Sequence, residues 1–141
     1  MINFCRPGLD AIIGKGLDYL FCNEEEAQVW CGSQDLQAIC QQVSQLAGTV
    51  CLTRGPKGCI VLEGAHQTAV PAASVKALDT NGAGDMFAGA FLYAVTHGHS
   101  HTEAAWLANQ AAGRVVSQYG NRLSLEAMNS IKADFEQQVA A

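Results

Sequence analysis

The 141-residue chain is poor in proline, in aromatic residues and in charge: three prolines, 7% aromatic and 15% charged residues. With 49% apolar residues, that scarcity excludes a disordered or low-complexity chain and leaves a globular one able to bury a core. A basic face is also lacking. The net charge of −5 excludes a nucleic-acid-binding surface, which needs clustered Lys and Arg; a nucleotide needs only local donors and stays open. No apolar run approaches the roughly 18 residues that cross a bilayer, so no membrane partner is expected. The opening "MINFCRPGLD" lacks a basic segment followed by an apolar one, so it is not read as a secretory signal. Six cysteines are present, none in a CxxC pair, which removes the zinc-ribbon and thioredoxin-like readings. Several lie in apolar runs ("TVCLT", "GCIV"). They are read as buried thiols in a reducing cytoplasm rather than a disulfide framework. Internal repeats and linkers are absent.

What is there reads as alternating elements. "LDYLF" (Leu17–Phe21) is an apolar strand. "CNEEEAQVWCG" follows as a helix, with three acids where the helix dipole favours them and Gly32 as its stop. Ser33 is expected to cap a second helix that carries Leu36, Ile39, Val43 and Leu46 on one face and ends at Gly48. Thr49–Thr53 is a β-branched strand, "RGPKG" a turn, and "CIVLEG" and "HQTAVPA" a hairpin about Gly64–Ala65. "SVKALD" reads as one more strand. Helices are then expected over about Gly84–Thr96, Thr102–Gln118 and, capped by Ser124, to about Val139. The order strand, helices, strand, hairpin, strand, helices implies an α/β layer architecture.

The chemistry is concentrated in "LDTNGAGDMFAGAFL" (Leu78–Leu92). Gly82 and Gly84 clear side chains from a strand-to-helix turn, where unpaired first-turn amides and the helix dipole form an anion hole. No GK[ST] follows, so it is not a Walker A loop. Phe87 stands where a dinucleotide fingerprint needs glycine or alanine. The plain structural alternative is a tight turn capped by Asp79 or Thr80. Asp85 weighs against that alternative. A carboxylate beside a bound phosphate is repulsive unless used, and phosphoryl transfer to an alcohol uses it to accept the hydroxyl proton.

"DTNGAGDMFAGAFL" resembles the signature of the PfkB carbohydrate kinases, the ribokinase and adenosine kinase family. In the same order, "NEEE" resembles the family's N-x-x-E motif, "TRGPKG" its T-x-G-x-x-G nucleotide loop, and "LANQAA" the helix segment beside the adenine. "DTNGAGD" and "QYGNRLS" look most like the adenosine-kinase-like branch. The resemblance implies a ribokinase-like three-layer α/β/α fold and transfer of the ATP γ-phosphate to a hydroxyl of a sugar or nucleoside. It makes Asp85 the general base, with Gly82, Ala83 and Gly84 supplying the anion hole. Asn23 and Glu26 would organise Mg²⁺, largely through water. Thr53, Gly55 and Gly58 would contact the nucleotide, and Asn109 would lie near its base. Asp79 and Asn81 match the segment bordering a monovalent cation, K⁺, in some members.

The match runs from about Asn3 to Val139 but covers only the family's C-terminal, nucleotide-binding part. The chain is therefore expected to be a single partial domain, residues 1–141, without the family's substrate-binding region and lid. An uncovered sheet edge follows from that, open to pairing with a second copy. Two other classes stay open: a catalytically idle nucleotide-binding or oligomerising module, and a Rossmann-type oxidoreductase, against which Phe87 and the hairpin count. The remaining candidates have plainer readings. His97, His99 and His101 in "HGHSH" are expected in a solvated loop rather than on zinc, since no paired acid or cysteine motif accompanies them. Arg54 and Lys57 are expected as exposed turn residues, Trp30 and Trp106 as core, and Arg122 at the surface.

Overall fold

Strand β1 (Tyr19–Asn23) and strand β2 (Thr49–Thr53) run parallel, in a register that pairs Tyr19 with Thr49 and Asn23 with Thr53. Parallel neighbours need a long crossover. Here it is made by α2 (Glu24–Cys31) and α3 (Leu36–Val43). The computed structural model of the protein describes residues 2–141, with side-chain positions from Cys5 on. Strands β3 (Cys59–Glu63) and β4 (His66–Val70) complete a four-stranded sheet in the order β1-β2-β3-β4. The turn joining β3 to β4 is two residues long, with Gly64 at φ 59°. That is the expected hairpin, and glycine supplies the left-handed conformation.

The chain divides into two compact units, one holding the residues up to Arg54 with Ile60–Ala69, the other holding Gly55–Cys59 with Val70–Ala141. In the first unit the core is made by Ile39, Cys40 and Val43 of α3, Ala27 of α2, and Val50, Leu52, Ile60 and Leu62 of the sheet. β2 and β3 are buried along nearly their whole length, while β4 is exposed at His66, Gln67 and Ala69 and buried only at Val70. This is the difference between a strand covered on both faces and an edge strand. The second unit is helical. In α4 (Ala83–Thr96), Phe87, Phe91 and Ala94 are buried. In α5 (His101–Val116) the buried face runs through small residues, Ala104, Ala105, Ala108 and Ala111, which lets the two helices pack closely. Helix α6 (Leu125–Ala140) is held by Ile131 and Phe135; the Phe135 ring lies 6.1 Å from that of Trp106 and 4.7 Å from that of His99.

Several sequence expectations are corrected. β1 begins two residues later than expected, because the carbonyls of Leu17 and Asp18 accept from Gly48 and Thr49 in the approach to the ladder. The cap of α3 is Asp35, not Ser33; the Ser33 hydroxyl accepts instead from the Asp35 amide. The helix also stops at Val43, and Leu46 reaches the same core from a following turn. "SVKALD" is not a strand. Its Leu78 and Asp79 amides donate to the Val116 carbonyl at the end of α5, 2.6 and 3.2 Å away, so a helix end replaces a ladder partner. Helix α5 runs His101–Val116 rather than 102–118, because Ser100 and Glu103 form a capping box one residue earlier. An unanticipated helix, α1 (Ile2–Ile13), carries Pro7 inside it. Arg6 fastens it to α2, donating to the Trp30 carbonyl at 3.0 Å with its guanidinium 3.8 Å from the Trp30 ring centre.

Candidate functional site

In the second unit, the turn before α4 is built by its own sequence. The Asp79 carboxylate accepts from the Asn81 amide at 3.0 Å, an Asx turn. Gly82 then takes φ 79° as the N-cap of α4, and neither Asp79 nor Thr80 caps it. Side-chain capping is absent at this end. The Ala83 amide donates to Thr80 at 3.3 Å and the Met86 amide to Gly82 at 3.0 Å. Among the described residues the Gly84 and Asp85 amides have no hydrogen-bond partner. Two N–H groups therefore stand open at the positive end of a 14-residue helix, the arrangement by which helix N-termini can take up anions. Ala83, expected among the donors, spends its amide inside the turn.

Asp85 is exposed in the first turn of α4, at the border of a cavity of about 450 Å³ whose lining includes Gly82, Met86, Gly89, Tyr93 and Ile131. Asn121 also lines it and seats the loop: a Cβ on Gly82 would lie 2.5 Å from the Asn121 Cβ. Sequence reasoning gave Asn121 no role, although "QYGNRLS" was a visible signal. At the far end, the Lys132 ammonium lies 4.5 Å from the Tyr93 ring centre.

Gly55 and Gly58 bound a 3₁₀ turn of the second unit, with φ of 56° and 85°. The Gly58 amide closes that turn on Gly55 at 3.0 Å. A side chain at Gly58 has no room, since a Cβ would fall on the Val70 carbonyl oxygen and 2.7 Å from the Ala72 amide nitrogen. Asn109 is buried on α5, and its amide nitrogen donates to Val70 O at 3.1 Å and Pro71 O at 3.0 Å, with the Cys59 sulfur 3.6 Å away.

In the first unit, Asn23 and Glu26 form a capping box on α2. The Asn23 side chain accepts from the Glu26 amide at 2.8 Å, and the Glu26 carboxylate accepts from the Asn23 amide at 2.9 Å. The other Glu26 oxygen has no hydrogen-bond partner among the described residues, and the residue is exposed. The Thr53 hydroxyl donates to Cys22 O at 3.4 Å. Arg54 is not an exposed turn residue: it pairs with Glu24 at 3.1 Å in a half-buried bridge. No group of three or more His, Cys, Asp or Glu side chains able to hold a metal occurs among the described residues.

The cysteines form no disulfide among the described residues, and Cys40, Cys51 and Cys59 are buried. Burial pushes the Cys22 thiol up to about 12 and, against the lowering bond from Asn109, Cys59 up to about 11. Such groups stay protonated and are poor nucleophiles. The histidines are more engaged than expected. The His97 Nδ1 lies 2.7 Å from Tyr93 O with its ring against the Tyr93 ring, His99 sits on Phe135 with Nδ1 3.9 Å from Glu103, and the His101 ring lies 5.8 Å from that of Phe91. Trp30 and Trp106 are half-buried rather than fully in the core.

Residues 3–128 match the pfkB family of carbohydrate kinases. The chain belongs to that family. It is 28% identical over 121 residues to a ribokinase of Lactococcus lactis, with 86% of this chain and 39% of the relative covered. Among solved structures it resembles an adenosine kinase from Sinorhizobium meliloti (TM-score 0.79, 30% identity, 83% of this chain and 36% of that one). It also resembles an Arabidopsis thaliana ribokinase complexed with ribose and ATP (TM-score 0.71, 26% identity, 81% and 40%). The chain thus spans well under half the length of these kinases. Its fold is part of the ribokinase-like α/β fold, as expected from the motifs. No described helix is long and apolar enough to cross a membrane.

Proposed function

We propose that the protein transfers the γ-phosphate of ATP to a hydroxyl of a sugar or nucleoside, with Asp85 as general base. The observation that carries this reading is the pair of unpartnered amides, Gly84 and Asp85, beside an exposed carboxylate on the same helical turn. The amides, with open space where Gly84 lacks a side chain, hold the phosphate oxygens and take up negative charge as it develops. Asp85 faces the acceptor. It receives the hydroxyl proton as that oxygen bonds to the γ-phosphorus, and the bond to the β-bridging oxygen breaks to release ADP. The acid beside the cradle therefore serves the second substrate.

Mg²⁺, when bound, neutralises phosphate charge. Glu26 suits it through water, since one carboxylate oxygen is free and this ion retains several waters. Asn23 holds that carboxylate in place through the capping box. By the family motif, Thr53, Gly55 and Gly58 would contact the nucleotide, Asn109 would lie near its base, and Asp79 and Asn81 would be the residues to hold a K⁺ ion. Cytoplasmic location and pairing of two copies through a sheet edge belong to the same proposal.

Calorimetric titration of MgATP into the chain tests the reading. Wild type and Asp85→Asn are both expected to bind, the variant at least as tightly, because a negative charge near the phosphate has been removed. A variant that loses ATP binding would place Asp85 in the nucleotide site and overturn its assignment. Binding without any turnover in the wild type would favour an idle nucleotide-binding module.

A further inference from the structure

Both N–H bonds of the Asn109 amide are spent inside the protein, on the carbonyls of Val70 and Pro71, 3.1 and 3.0 Å away. The residue is 7% exposed, one of two buried polar residues among those described. It has no N–H left to donate to a ligand. The same segment also packs against Gly58. Gly58, at φ 85°, lies so close that a Cβ there would fall on the Val70 carbonyl oxygen, 2.7 Å from Ala72 N and 2.8 Å from the Pro71 carbonyl carbon. The Cys59 sulfur, next to Gly58 in sequence, is the third atom within reach of the Asn109 nitrogen, at 3.6 Å. Val70–Ala72 is thus held by both the last glycine of the Gly55–Gly58 turn and a side chain of α5. Beyond Ala72 the chain follows α5, where Gly113 has room only for its hydrogen: a Cβ would lie 2.8 Å from the Ala73 Cβ. It then runs on to Asp79 and the anion turn.

We infer that Asn109 is a positioning residue: by clamping Val70–Pro71 against Gly58 it fixes the Gly55–Gly58 turn relative to α5, and it acts on the nucleotide through that turn rather than by touching it. Only the consequence for ATP rests on the proposed kinase function; the clamp itself does not. The physical need is clear. A 3₁₀ turn closed by one backbone bond, Gly58 N to Gly55 O, is soft on its own, and glycines at both ends loosen it further. A turn meant to meet phosphate or ribose oxygens must be preorganised from outside.

The test uses Asn109→Asp and Asn109→Ser, with hydrogen exchange at the Gly58 and Ala72 amides and MgATP titration read on the same samples. Asn109→Asp keeps the shape but sets carboxylate oxygens against two carbonyls. Exchange at Gly58 should rise at least ten-fold at pH 8, while the α4 amides near Phe91 keep their wild-type protection. ATP affinity should fall by about the same factor. Acidification toward pH 5 should restore both in part, relative to wild type at the same pH, because a protonated acid regains one donor. Asn109→Ser, a milder loss, should loosen Gly58 without any recovery in acid. Weakened ATP binding with unchanged Gly58 exchange would mean that Asn109 touches the nucleotide, and would overturn the clamp. Uniform loss of protection across α4 and α5 in both variants would reduce Asn109 to ordinary core packing, and overturns it equally. If wild type does not bind ATP, the kinase proposal fails while the exchange data still decide the clamp.

Discussion

At the scale of single residues, the site depends on which backbone donors are spent and which are left. Ala83 closes the turn on Thr80, so the open donors are Gly84 and Asp85. The sequence motif marks the turn but does not say which amides stay open, because that depends on Gly82 adopting φ 79°. A substitution at Gly82 is expected to be severe for two reasons: its φ is left-handed, and its missing Cβ makes room for Asn121. Gly82→Ala should lower stability by about 1–3 kcal/mol and weaken ATP binding, measured by denaturant titration and calorimetry. The contact of Asn121 with Gly82 spans 39 positions of sequence, so the "QYGNRLS" segment was visible as a motif while this packing role was not.

At the scale of elements, the caps were the most readable feature. The acids of "NEEE" and the serine of "SLEA" sit where the dipole and the cap require them, and both helices begin there. Asn23→Ala should cost about 1 kcal/mol by removing the cap, seen as a lower urea midpoint with unchanged slope. At α5, the Ser100 hydroxyl and amide hold the Glu103 carboxyl below the usual carboxylate range, with His99 adding to the effect. A depressed folded pKa gives stability that is present above the unfolded value, near 4.3, and lost as pH falls through the folded one. Ser100→Ala should therefore lower stability at neutral pH and progressively less as pH falls through the carboxylate range, flattening the acid limb of the curve in urea unfolding between pH 2 and pH 7. What failed at this scale was "SVKALD": its place directly before the glycine motif suggests a strand, but a strand is defined by a ladder partner, and here the donors go to the end of α5. The start of α3 failed for a related reason, since Ser33 and Asp35 are both good caps and only the path of the chain chooses between them.

At the scale of the whole molecule, the layer class and the order from β1 to the hairpin and through the last three helices were legible, because apolar periodicity and glycine punctuation agree there; α1 and the non-strand "SVKALD" were not. The alkaline limit was not, because it depends on how deeply each thiol is buried. Cys22 titrates near 12, above its ordinary 9.0, owing first to desolvation and then to the nearby Glu26 charge. A raised folded pKa gives stability that is complete below the unfolded value and lost as pH rises toward the folded one. Folding stability is expected to fall above about pH 9, by at most about 1.4 kcal/mol per pH unit for this thiol. Cys22→Ala should remove that contribution, as measured by urea unfolding between pH 8 and pH 11.

The central claim is that Asp85 deprotonates an acceptor hydroxyl while the first-turn amides hold the phosphate. Transfer of radiolabelled γ-phosphate from ATP to a panel of pentoses and nucleosides, compared between the protein and its Asp85→Asn variant, tests it most directly. The account predicts labelled product with at least one acceptor, and a loss of about 10²–10⁴-fold in turnover for the variant with ATP affinity retained. Equal turnover in the two proteins would contradict it.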